Sequence, residues 1–200
     1  MSLLIGLRKQ AAIVASVAAW ICLVGFGMNM LLRYTYTPGH AATPPAIWSA
    51  RAPVKISKER ATLVMFAHPN CPCSRASIGE LAILMARAQG KLDAYVFFHR
   101  PANESSAWVR TDLWRSATSI PGVRVMEDTG GDFAKQVGAY TSGQTLFYDV
   151  GGRLVFNGGI THSRGHSGDN AGREVITSFL EGRRPNQNIT PVFGCSLREQ

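Results

Sequence analysis

The sequence predicts an α/β domain, a central sheet flanked by helices, preceded by a single N-terminal transmembrane helix. Three observations carry this reading. Apolar periodicities of strand and helix type alternate along the C-terminal part, a long uncharged apolar run opens the chain, and a proline-rich stretch separates the two. With 200 residues and 46% hydrophobic content, the chain can fold one domain of ordinary size and still spare a segment.

No charged side chain lies between Gln10 and Leu32. As a helix, residues 11–32 would span about 33 Å, against about 30 Å for a bilayer's hydrocarbon core. A cleaved signal peptide is the competing reading, since Arg8 and Lys9 form a basic start. Secretory apolar cores run only about 7–15 residues, which favours an uncleaved anchor. The expected division is therefore a cytoplasmic start (1–10), an anchor (11–33), a linker (34–60), the α/β domain (61–184) and a tail (185–200). Arg8 and Lys9 should stay cytoplasmic, although Arg33 weakens the asymmetry, which puts the domain on the extracytoplasmic side. In a bacterium that is the periplasm, an oxidising compartment. The lipid bilayer is then one expected partner.

The linker carries Pro38, Pro44, Pro45 and Pro53 among small polar residues, a composition that favours extended chain. Ile47 and Trp48 are its apolar docking candidates. In the domain, a strand over 62–67 leads to a helix over 74–89, whose Ile78, Leu81, Ala82, Met85 and Ala88 recur at helical spacing until Gly90 ends it. A strand over 92–98 follows, then a helix over 105–116 with Trp108 and Leu113 as core contacts, broken by Pro121-Gly122. A short strand (124–127), a short helix (131–137), two strands (144–149 and 154–157) around Val150-Gly151-Gly152 and a last helix (171–180) complete the order. Parallel strands joined by crossover helices, then a hairpin and a covering helix, satisfy that order.

The chemistry is concentrated in residues 61–77, ATLVMFAHPNCPCSRAS. An apolar strand ends at His68-Pro69 and delivers Cys71 and Cys73 to a helix start, where the partial positive charge of the N-terminus favours thiolate, the reactive form of cysteine. Two buried, inert thiols are the plain alternative, but the polar, turn-forming neighbours and Arg75 fit packing poorly.

With these elements and this motif on a helix N-terminus, residues 52–184 resemble the thioredoxin-like superfamily, in particular its membrane-anchored extracytoplasmic thiol-disulfide proteins and the RedB-like proteins within it. The resemblance implies an oxidoreductase-type site at Cys71 and Cys73, acting on extracytoplasmic protein thiols or disulfides. Two departures stand out. Only Pro72 separates the cysteines, where thioredoxins have two residues, so a disulfide between them would be strained and easily reduced. Gln144 stands where thioredoxins place a cis-proline facing the cysteines, which leaves the dithiol open to metals.

The loop 158–170 is unusually rich in glycine and polar residues. Its plain role is a connector with Asp169 or Asn170 capping the last helix. Its functional reading sends His162, Arg164 and His166 toward the cysteines as proton carriers, metal ligands and anion holder, with His68 joining them. The tail adds Cys195 between the apolar anchors Val192, Phe193 and Leu197. Cys22 falls inside the apolar run and has no expected redox role.

Three cysteines then remain outside the membrane, an odd number. Either Cys71 and Cys73 cycle with Cys195 to spare, or Cys195 pairs with one of them, or all three hold a metal. Two functions follow. One is thiol-disulfide exchange, which requires no cofactor. The other is a copper(I)-binding or metallochaperone module using Cys71 and Cys73 with His162 and His166. The net charge of +8 is spread without a basic run or nucleic-acid motif, so no nucleic-acid partner is expected.

Overall fold

The computed structural model describes residues 2–185 and 187–198. By Cα packing the chain falls into two units, residues 1–37 and 38–200. The first is helix α1, Ser2–Tyr36. Its stretch Leu7–Tyr36 is long and apolar enough to cross a membrane.

The second unit alternates β1 (Ala61–Ala67), α2 (Pro72–Ala88), β2 (Leu92–Arg100), a 3-10 turn (Ser106–Val109), α3 (Asp112–Thr118), β3 (Val123–Thr129), α4 (Asp132–Gln136), β4 (Thr145–Tyr148), β5 (Leu154–Gly158) and α5 (Ala171–Leu180). The sheet order is β3-β2-β1-β4-β5, with β1, β2 and β3 parallel and β4 and β5 antiparallel. This is the α/β architecture expected. β1 is buried along its whole length on both faces, which explains why it reads as a continuous apolar run rather than an alternating one.

Leu63, Met65 and Ala67 of β1 face a core shared with α2, α3 and α5, while Val64 and Phe66 face a second core with Phe133 of α4. Residues 38–60 contribute to that second core. Trp48 packs edge-on to Tyr148, with ring centroids 4.9 Å apart, and its indole N–H donates to the Val54 carbonyl. The stretch is extended, as its prolines require, but it covers the sheet where free chain was expected. Ile47 stays exposed.

Two elements differ from expectation in ways that matter for the site. The helix expected from residue 74 begins at Pro72, with Cys71 as its cap in extended conformation. Proline fits the first helical position because its missing N–H would have no partner there. The helix expected over 105–116 is two pieces, since Thr111 turns extended to cap α3, though Trp108 and Leu113 both pack on the core as expected.

Candidate functional site

Cys71 sits at the carboxyl end of β1, in the turn where its own N–H donates to the His68 carbonyl. Its sulfur lies 2.9 Å from that of Cys195 and accepts from the Cys195 N–H at 3.4 Å. Two distant parts of the sequence therefore converge: the turn between β1 and α2, and the C-terminal tail.

The tail is built into the domain. Asn157 and Gly159 donate to the Asn188 and Pro191 carbonyls, Ser142 donates to the Cys195 carbonyl at 2.8 Å, and Leu197 donates to the Tyr140 carbonyl. Thr141 and Ser196 form an antiparallel bridge. Val192, Phe193 and Leu197 are buried. Each such apolar side chain contributes about 1.5–3 kcal/mol, so the tail is held firmly against the domain through isolated bridges and buried anchors. Gly194 permits the approach, since a Cβ there would lie 1.9 Å from the Ser142 carbonyl oxygen.

Ser142 joins these parts. Its hydroxyl accepts from the His68 N–H at 2.7 Å and lies 2.6 Å from the Ser74 hydroxyl. Nothing in the sequence marked it, because a serine in a Thr-Ser-Gly turn carries no signal of what it will face.

The thiols differ in their acidity. Burial pushes Cys71 up, but hydrogen bonds from the thiol and amide of Cys195 and from Ser74 outweigh it, and the result lies below an ordinary thiol. Burial and the charge of the Cys71 sulfur raise Cys73, with the Arg164 guanidinium opposing them. Cys195 is pushed up to about 12 by burial and by giving its hydrogen bond to Cys71. Of the three sulfurs, Cys71 is therefore the one at which thiolate is most favoured.

The other residues singled out in the sequence divide. Arg164 reaches the site, acting on Cys73 and donating to the Gly194 carbonyl beside Cys195. His68 is adjacent through its backbone, while its ring stacks on His99 and meets the edge of Trp108. Burial and the neighbouring His99 lower its pKa, which favours the neutral ring. Arg75 turns away to an exposed ion pair with Asp112. Gln144 is fully buried, but its amide is spent on Tyr140, Gly138 and Asn157, bracing the hairpin away from the sulfurs. Ser142, two residues earlier, bonds the Cys195 carbonyl, the His68 N–H and the Ser74 hydroxyl instead. His162 and His166 are exposed. Among the described residues no three His, Cys, Asp or Glu side chains form a group placed to hold a metal. The copper ligand set of Cys71, Cys73, His162 and His166 is thus not assembled.

No family profile and no curated protein matches the chain. Solved structures do. A hypothetical protein of Sinorhizobium meliloti 1021 is 21% identical, with 83% of this chain and 96% of that one covered and a TM-score of 0.58. An uncharacterized conserved protein of Geobacillus kaustophilus is 21% identical over 82% and 93%, with a TM-score of 0.59. These two likenesses show a shared fold, here the five-stranded α/β sheet with three parallel strands and an antiparallel pair. A secreted disulfide oxidoreductase of Mycobacterium tuberculosis is 11% identical over 62% and 82%, with a TM-score of 0.43. At such identities the likeness is one of fold, and the chemistry has to be argued from this chain's own residues.

Proposed function

We propose that the protein is a membrane-anchored thiol-disulfide exchange protein, held by α1 with its domain on the extracytoplasmic side, and that its clients are protein or peptide thiols and disulfides. The observation that carries this reading is the 2.9 Å contact between the Cys71 and Cys195 sulfurs at the cap of α2. A thiolate beside a second thiol closes a disulfide on losing two electrons and the thiol proton, and a client disulfide takes up both in the exchange, leaving as a thiolate and a thiol. Cys73, two residues from Cys71 and next to Arg164, is placed to receive the bond in a second internal exchange.

The test uses the full-length chain in detergent, equilibrated across a series of glutathione redox buffers, quenched by alkylation and mapped by mass. A reversible disulfide from Cys71 to Cys195 or to Cys73 is expected. If no disulfide within the chain forms at any ratio of the buffer, exchange is the wrong function. Stoichiometric copper(I) uptake without disulfide cycling would instead favour metal carriage by the same sulfurs.

A cleft of about 450 Å³ adjoins the tail, lined by Gly194 and Ser196 on either side of Cys195 and by His40, Lys135, Tyr140, Arg164 and Arg198. No carboxylate is part of this lining. Such a field attracts anions and weakens with salt. Oxidised glutathione, which carries carboxylates, should therefore react faster than neutral hydroxyethyl disulfide, by roughly ten-fold at low ionic strength, and the gap should close in salt of about 1 M. Equal second-order rates at low salt would remove any role for the cleft in client choice.

A further inference from the structure

The three thiols are unequally accessible. Cys71 is 1% exposed and Cys73 is 7% exposed, whereas Cys195 is only half-buried. The covering over Cys71 is the tail itself, fixed by the hydrogen bonds of Cys195 and Leu197 to the 140–142 turn and by the buried Phe193 and Leu197. With Cys71 1% exposed and its sulfur held against the sulfur and N–H of Cys195, a client sulfur reaches it only if that segment of the tail moves. At Cys195 no such displacement is needed.

We propose that Cys195, rather than either cysteine of the Cys71-Pro72-Cys73 motif, is the sulfur that meets the client, and that Cys71 is the buried partner that takes its proton and then closes the disulfide. This rests on the exchange reading above and changes which sulfur carries the client. With a client disulfide R–S–S–R, the Cys195 thiol passes its proton to the Cys71 thiolate and attacks one client sulfur. The client S–S bond breaks, the Cys195–S–R bond forms and one RS⁻ leaves. Cys71 then attacks the Cys195 sulfur 2.9 Å away. The Cys195–S–R bond breaks, the Cys71–Cys195 bond forms, and the second client sulfur departs with the Cys71 proton as RSH. Two electrons pass from the two protein thiols to the client. In reverse, an incoming client thiolate attacks Cys195 and expels Cys71.

The ordering of the thiols agrees with that direction. Of the two sulfurs in a Cys71–Cys195 bond, Cys71 is the better-stabilised thiolate and so the better leaving group, which directs attack to Cys195. Access and leaving-group quality select the same sulfur.

The full-length chain with Cys73→Ser, which removes the internal competitor, is compared with Cys71→Ser or Cys195→Ser added. Each is reduced, exposed to oxidised glutathione, quenched with acid and mapped by mass. The Cys71→Ser form should accumulate glutathione on Cys195, and the Cys195→Ser form should acquire it on Cys71 at least about ten-fold more slowly, because reactivity follows access as well as thiolate character. Gly194→Ala added to the Cys195→Ser form must push the tail off Ser142, and should speed modification of Cys71. Equal or faster modification of Cys71 than of Cys195 before the tail is displaced, or no adduct on Cys195 at all, overturns the assignment. If the adduct forms on Cys195 but the wild-type chain never closes a disulfide in the redox series, the exchange function fails while the order of access stands.

Discussion

Replacing Cys71 by serine should reduce multiple-turnover disulfide exchange by roughly a thousand-fold or more, because the hydroxyl is neither an appreciable nucleophile at neutral pH nor able to share a disulfide. The structure gives Cys71 two tasks at once. It is the sulfur whose thiolate its surroundings favour, and it is the one that both Cys195 and Cys73 can reach. Cys73→Ser, by contrast, should leave a working Cys71–Cys195 couple and a smaller loss. Turnover of a fluorogenic disulfide by the full-length variants checks both, and comparable losses in Cys71→Ser and Cys73→Ser would show that the short motif cycles without the tail.

The same cluster fixes a pH dependence. Cys71 lies below an ordinary thiol, so its thiolate persists as pH falls below about 8.5 and is lost only through its lower folded value. Wild-type exchange should hold its rate below the pH at which a free thiol fades. For stability of the reduced protein, Cys71 contributes above the unfolded thiol value, and that contribution is lost as pH falls through the folded one. Cys73 and Cys195 act in the opposite sense. Their folded values are raised, so their contribution is present below about 8.5 and disappears as pH climbs, for Cys195 toward about 12. Two raised groups against one lowered predict an alkaline loss of stability in the reduced form, and Cys195→Ser should flatten it. An alkaline decline of unchanged slope in that variant, followed by urea unfolding at several pH values, would contradict the thiol ordering.

What was legible in the sequence was mostly local. The β1 run, the placement of Cys71 and Cys73 at a helix start, and α5 from Ala171 to Leu180 follow from apolar spacing and neighbouring turn residues. The Cys71–Cys195 contact was one of three open pairings, and neither composition nor spacing could choose among them. It joins residues 124 apart in sequence and depends on a tail segment that only Gly194 allows against Ser142. The loop of residues 158–170 shows the same limit from the other side. Its histidines attracted attention by residue type, yet it is Arg164 whose charge and hydrogen bond act on Cys73, because the loop's path depends on what α2 offers to anchor it.

That anchor is Glu80, and Glu80→Ala should cost about 3–5 kcal/mol, the usual penalty for leaving a buried charge without its partner. Glu80 is fully buried on α2, three residues after Ser77 and four before Leu84 on the helix's buried stripe. Its carboxylate accepts from the Gly168 N–H at 2.7 Å, from the Asn170 side-chain amide at 3.1 Å and from the Arg173 guanidinium. Arg173 is itself buried, and among the described residues its other ionic partner is Asp169, which is exposed, so truncating Glu80 leaves the cation with little compensation. The Asn170 side chain also caps α5 by accepting from the Arg173 N–H at 2.8 Å, so the loss reaches the helix start as well. Surface pairs give a contrast: Arg75 and Asp112 are both exposed, and solvent screening should leave stability nearly unchanged when either is removed. Urea midpoints for Glu80→Ala and Asp112→Ala, measured on the full-length chain, compare the two. A loss below about 1 kcal/mol at Glu80 would mean that the carboxylate is not what holds the loop. A large loss accompanied by slower exchange would tie the position of Arg164 to the same ion pair, since Arg164 lies on the segment that Glu80 fastens to α2.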